Sequence, residues 1–259
     1  MCDVVAAKLR SPKKMMLSFD EYGCMEIPYE PLHPGFGPHN MAATHYKFDP
    51  NRKYVLYDPD NMPVREFPGK ELVQALSMAS VQLAFIRHAD RVKIGCMTGG
   101  LGALCASSHD HVWKSASHYA FTELMEYAKG TSMQVDVDSE TYDMPGYAID
   151  DTSQYTGKEG VNYIDSACAW DKENKRLTIF AINRNADAEY PLTLDIKGFE
   201  GYSFAKHIEI QTNDLDAKDT FENPNAVLPK EIKEGAFANG EFTTHVKPLS
   251  WNVFVFEAK

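Results

Sequence analysis

The sequence predicts two kinds of architecture in one chain: an α/β segment to about residue 130, then an antiparallel all-β segment to residue 259. Three observations carry this. Apolar residues recur at helical spacing in "GKELVQALSMASVQLAFIRHAD". That helix lies between two short apolar runs bounded by turns, "KKMMLSF" and "RVKIGCM", which read as buried strands. After Gly130 the pattern changes to short strands separated by turn residues such as "DKENK" and "KGFEG".

The elements follow in order. "MCDVVAAKLR" reads as the end of a helix, with Val4, Val5 and Leu9 on one side, broken by Ser11-Pro12. The first strand climbs out of Lys13-Lys14 and ends on Asp20-Glu21. Residues 23–69 are rich in Pro, Gly, Asn and His and read as a long loop, with enough aromatic residues to pack. In the main helix Leu72, Leu76, Ala79, Leu83 and Ile86 share one face. "TGGLGALCASSHDH" is a Gly-rich loop without the Gly-Lys-Ser/Thr ending of a phosphate loop. "WKSASHYAFTELMEYAKG" reads as a helix with Gly130 as its C-cap. "DSACAWD", "RLTIFAINR", "YPLTLDI", "SFAKHIEIQ", "GEFTTHV" and "SWNVFVFEA" are the strands of a sandwich or jelly roll, with Trp170 and Trp251 in its core.

Helix, strand, loop, helix, strand implies βα units with parallel strands. Two parallel strands make no protected sheet, and a complete (β/α)₈ barrel takes about 250 residues. The first 130 residues therefore read as the last part of such a barrel, with two βα units, and residues 131–259 as the attached sandwich.

Bulk properties narrow the function. A net charge of −11 argues against nucleic acid. Five cysteines without a C-x-x-C pair argue against a zinc ribbon or redox motif and fit a reducing compartment. No window approaches 18 apolar residues, so no membrane span is predicted, and the N-terminus has no secretory pattern. The reading is cytoplasmic, with no cofactor and no metal. His109 and His111 flank Asp110, but no third ligand stands out. They suit a solvated loop or a sugar contact better.

A barrel of this kind presents its working side chains at the C-terminal ends of its strands. Asp20 and Glu21 stand at such an end. A carboxylate there suits glycoside hydrolysis, and equally a solvated or ion-paired strand end. Arg91, at the start of the second strand, reads as a structural ion pair at the opposite end.

The residues themselves carry a resemblance. "MMLSFDEYG" resembles the nucleophile strand of glycoside hydrolase family 51, the α-L-arabinofuranosidases. "HADRVKIGCM" is similar to that family's final barrel strand. "VWKSASHYAF", "YAKGTSMQ", "LTIFAINRN", "ENPNAVLP" and "PLSWNVFVF" resemble further family motifs, in the family's order. The resemblance runs from about Asp3 to Phe256. It implies that Glu21 is the nucleophile of a retaining mechanism on an α-L-arabinofuranosyl unit. It also implies an acid/base Glu on an earlier strand, which this sequence does not contain. Tyr22-Gly23-Cys24-Met25, Gly99-Gly100-Leu101-Gly102 and Lys114-Ser115 depart from the family pattern, which puts the substrate in question more than the fold. Tyr22, His109, His111, Trp113 and Ser115 are the candidate substrate contacts, with Trp113 equally suited to plugging the barrel rim. Asp20 reads as structural, because neighbouring strand residues point to opposite faces.

The implied function is the C-terminal portion of a retaining arabinofuranosidase acting on arabino-oligosaccharides, inactive alone. It would be joined by an N-terminal complementing chain or by self-association. A split gene, a truncated reading frame and a non-catalytic remnant all fit the length. A non-catalytic carbohydrate-binding or assembly module, and another retaining specificity such as a glucanase, are the alternatives.

Overall fold

A computed structural model describes residues 2–23, 70–97, 105–107, 112–148 and 154–258. The chain opens with α1 (Cys2–Lys8) and β1 (Leu17–Tyr22). Next come α2 (Glu71–Arg87) and β2 (Val92–Met97). A small hairpin, β3 (Cys105–Ser107) with β4 (Val112–Lys114), leads into α3 (Ala116–Tyr127). Strands β5 (Thr131–Met133) to β17 (Ser250–Ala258) complete the fold.

β1 and β2 pair in parallel and flank α2 in sequence, so they form a βαβ unit. Helix α2 begins with Glu71 in its first turn and ends with Arg87 in its last, each charge suited to its end of the helix dipole. Its apolar face is buried as the spacing predicts: Leu72, Leu76, Ala79 and Leu83 lose nearly all exposure.

The sandwich is built around a six-stranded antiparallel sheet, in the order β14-β13-β17-β11-β10-β5. Here β10 is Ile164–Asp171, β11 Arg176–Asn183, β13 Tyr202–Ile210 and β14 Pro229–Ile232. A second sheet runs β12 (Tyr190–Asp195), β16 (Glu241–Val246), β15 (Ala236–Ala238). The six-stranded sheet is the middle layer. Phe180, Ile182, Trp251 and Val253 pack with α2 and α3 on one side. Ile179, Ala181, Phe254 and Phe256 pack with Phe242 and Leu194 on the other. Strands covered on both faces read as continuous apolar runs, which is why "RLTIFAIN" and "SWNVFVF" show no alternation.

All six strands predicted after Gly130 are present. Those without a sequence signal are short or polar, such as β9 (Lys158–Asn162, "KEGVN") and β14, which opens on a proline. Four other expectations are corrected. The first two strands are largely exposed, not buried, because among the described residues α2 covers only one of their faces. β1 extends through Tyr22, so Asp20 and Glu21 lie inside it. Val112–Lys114 is a strand, and α3 starts only after Ser115, whose hydroxyl caps it by accepting from the His118 N–H. Gly130 is not the cap: Ala128 is, its N–H donating to Leu124 O. Gly130 has φ +89°, and a Cβ there would stand 2.2 Å from the Trp170 carbonyl oxygen. Glycine is required there for close approach as well as for its backbone angle. Residues 24–69, read as a packed loop, lie outside the described residues.

Candidate active site

Three contacts orient the β1–β2 ribbon against α2. Phe19 and Tyr22 both pack against Phe85 of α2, at 5.0 Å between ring centroids in each case. Gln82 donates to the Tyr22 hydroxyl at 3.1 Å. A Cβ on Gly95 would meet the Phe85 ring at 2.7 Å, so Gly95 also faces the helix. Its register partner is Phe19, while Ser18 pairs with Ile94. Ser18, Ile94 and Cys96 therefore turn away from α2 by strand alternation. Asp20 joins them: its Oδ1 accepts from Ser18 Oγ at 2.6 Å.

Phe19 and Tyr22 are three residues apart yet share a face. The register shifts between them, as in a β-bulge. Simple alternation therefore does not separate Asp20 from Glu21, contrary to the sequence argument. Glu21 is exposed at the penultimate position of β1. At the other end, Arg91 makes the structural ion pair foreseen for it, donating from one Nη1 to both Asp3 oxygens at 2.8 and 2.9 Å. The main chain also joins there, Leu17 N–H to Arg91 O. The Asp20-Glu21 end and the ion-paired end are thus opposite ends of one parallel unit.

The other candidates separate. Tyr22 is held on the helix side by Phe85 and Gln82. Trp113 is buried, and its indole N–H donates to the Asp219 carbonyl at 2.7 Å, with Phe221 beside it. Ser115 is a helix cap. His109 and His111 lie outside the described residues. Among those described, no group of three His, Cys, Asp or Glu side chains could hold a metal ion.

Sequence reasoning missed one titratable cluster. Glu71 Oε1 accepts from Ala116 N–H, at the first turn of α3, and Oε2 from Asp219 N–H at 2.9 Å. Asp219 Oδ1 accepts from Val227 N–H, while Oδ2 is buried with no hydrogen-bond partner among the described residues. Burial pushes Glu71 up to about 7, aided by the Asp219 charge and opposed by the two N–H donors. Burial also raises Asp219. One carboxylate thus links α2, α3 and the loop before β14. No spacing in the sequence ties position 71 to position 219.

The model of the alpha-L-arabinofuranosidase C-terminal domain matches residues 40–250. The chain belongs to that family. An intracellular exo-alpha-(1->5)-L-arabinofuranosidase of Streptomyces lividans is 26% identical over 97% of this chain and 34% of its own length. Its Bacillus subtilis counterpart is 27% identical, over 97% and 44%. The chain thus spans about a third to under half of the curated relatives it matches. Among solved structures, the family 51 arabinofuranosidase AbfB of Bifidobacterium longum aligns with 98% of this chain and 44% of its own, at TM-score 0.72 and 21% identity. The Thermotoga maritima enzyme aligns over 73%, at TM-score 0.64. These likenesses show the fold: an α/β segment followed by an antiparallel sandwich, as the sequence predicts.

Proposed function

We propose that this chain is the C-terminal portion of a retaining α-L-arabinofuranosidase, with residues 1–130 forming the last two βα units of a (β/α)₈ barrel and 131–259 its sandwich. Glu21 is the nucleophile. One observation carries the reading: in a chain of this family, Glu21 sits exposed at the C-terminal end of a parallel strand, where such a barrel presents its chemistry.

In this mechanism a Glu21 carboxylate oxygen attacks the anomeric carbon of a terminal α-L-arabinofuranosyl unit as the glycosidic C–O bond breaks. The leaving oxygen takes its proton from a second carboxyl group. That group then removes a proton from water, which attacks the glycosyl ester and frees Glu21. Retention needs the two carboxyl groups about 5–5.5 Å apart. The resemblance assigns the second to an earlier strand, outside this chain. The substrate class is arabinose-containing oligosaccharides and the setting cytoplasmic, as the relatives' names suggest. The chain works together with the earlier βα units that carry that group, or in an oligomer.

The test is turnover of a panel of chromogenic α-L-arabinofuranosides and β-glucosides. The purified chain alone should show none, since one carboxylate cannot serve both steps. The particle purified from its source should cleave the arabinofuranosides, and Glu21→Ala should abolish this. Robust turnover by the chain alone, or full activity in Glu21→Ala, would refute the assignment. The exposed apolar β1–β2 surface favours a second reading, an assembly module without chemistry. Inactivity of the native particle on the whole panel would select it.

A further inference from the structure

We infer that Glu71 and Asp219 share a single proton, and that this proton latches the turn 219–225 onto α2 and α3. The latch goes beyond the proposed activity and does not depend on it.

The pair is built from acceptors alone. Both oxygens of Glu71 accept from main-chain N–H groups, Oε1 from Ala116 and Oε2 from Asp219. Asp219 is only 3% exposed, and its Oδ1 accepts from Val227 N–H at 3.1 Å. Its Oδ2 is buried and meets no donor among the described residues. Yet the two carboxyl side chains lie within hydrogen-bonding reach of each other. Two carboxylates cannot bond to one another, because an ionised carboxylate only accepts; a carboxylic acid and a carboxylate can. Two charges in one buried place also repel, which favours the same single proton.

The surrounding charges do not replace it. Among the described residues no ion pair includes Glu71 or Asp219. Lys70 of α2 is paired with Asp216 at 3.0 Å. Lys114 of β4 stands 5.7 Å over the Tyr119 ring, and it adds to the burial that lowers His118 of α3. Tyr119 of α3 feels both carboxylates: burial raises its phenol, and the charges of Asp219 and Glu71 raise it further.

The turn depends on this pair for its hold. Thr220 N–H donates to Asn223 O and Asn223 N–H to Thr220 Oγ1, so these residues close on themselves. Phe221 is 50% exposed beside Trp113. Attachment to the helices and to β4 runs through Asp219, whose N–H meets Glu71 and whose carbonyl accepts from the Trp113 indole. Val227, beyond the turn, is anchored in the core. Loss of the proton to water sets two buried charges face to face and opens the turn from its Asp219 end, a local opening that leaves the core folded.

Infrared spectra and amide exchange test this on the full chain. At pH 6 the native chain should show a protonated-carboxyl C=O band that Asp219→Asn and Glu71→Gln each remove. Glu123→Gln, at another carboxyl group that burial raises, should leave that band in place. Exchange of the peptide spanning 212–228, divided by the intrinsic rate at each pH, should rise about tenfold from pH 6 to 8.5 while β10 and β11 stay protected. In Asp219→Asn the side-chain amide supplies the donor, so exchange should be slow at both pH values. Absence of the band, exchange that ignores pH, exchange of β10 and β11 together with the turn, or an unchanged pH response in Asp219→Asn would each overturn the latch. Should Asp219→Asn fail to fold, the native exchange and Glu71→Gln decide alone.

Discussion

At Glu71 the cost of burying a charge is set against the N–H groups that the carboxylate ties together. Its acid constant lies at about 7 in the fold, against 4.5 as the reference. The folded state therefore holds a proton between those values that the unfolded state has released. Stability from this group is fully present below pH 4.5 and is lost as pH rises to about 7. Thermal melts from pH 4.5 to 8 should show the native chain losing stability across that window, and Glu71→Gln should flatten the loss. An unchanged slope in the variant would exclude the group. Gly130 makes a prediction of another kind. Gly130→Ala forces a Cβ onto the Trp170 carbonyl at a positive φ, so urea titration should show a loss of about 2–4 kcal/mol. A loss below 0.5 kcal/mol would mean the backbone can retreat. The glycine was visible in the sequence as a punctuation mark, but its true role was not. The approach to Trp170 is long-range, and a C-cap is the local reading.

Among the elements, the strands of the middle sheet were legible because burial on both sides leaves an apolar signature. The β1–β2 strands carry a similar signature yet are largely exposed. A short apolar run reports only what could be covered, and among the described residues one face has no cover. The middle sheet also buries several polar side chains, and one of them titrates in a useful range. His207 of β13 is buried, stacked on Phe254 at 4.2 Å, with Nε2 against Asn252 Oδ1 at 2.9 Å and Nδ1 without a partner among the described residues. Burial holds its imidazole below the ordinary value of 6.5, against the opposing pull of Asn252 and Glu209; Lys247 acts with burial. The unfolded chain then takes up a proton that the folded chain refuses. This contribution is intact above pH 6.5 and is lost as pH falls below it. Its sign is opposite to that of Glu71, so the two are separated by difference. His207→Gln should melt with a shallower acid limb than the native chain between pH 6.5 and 5, while its slope above pH 6.5 stays the same. A parallel shift of the whole curve would mean that only packing was lost.

For the whole molecule the question is whether the division near residue 130 is also a division of stability. The change of secondary structure there was plain in the sequence. The shared core was not, because which face of α2 meets which strand depends on tertiary placement. Leu72, Leu83 and Ala116 belong to one cluster with Phe180, Trp251 and Val253, across the expected boundary. A buried ion pair crosses it too. Arg87 of α2 donates to Asp165 of β10 at 2.7 Å and to the Ser166 carbonyl at 2.8 Å. Arg184 reaches the other Asp165 oxygen and also donates to Ser80 Oγ of α2 at 3.3 Å. Asp165 is almost wholly buried, so removing its carboxylate strands two partly buried guanidinium groups. α2, α3 and the sandwich should therefore unfold in one transition, followed together by the helical far-ultraviolet signal and the near-ultraviolet tryptophan signal. Asp165→Ala should lower that single transition by about 3–5 kcal/mol, the usual cost of breaking a buried pair. Two separated transitions in the variant, with the tryptophan signal unmoved, would mean that the helices and the sheet are stable independently. The boundary near 130 would then be thermodynamic as well as architectural.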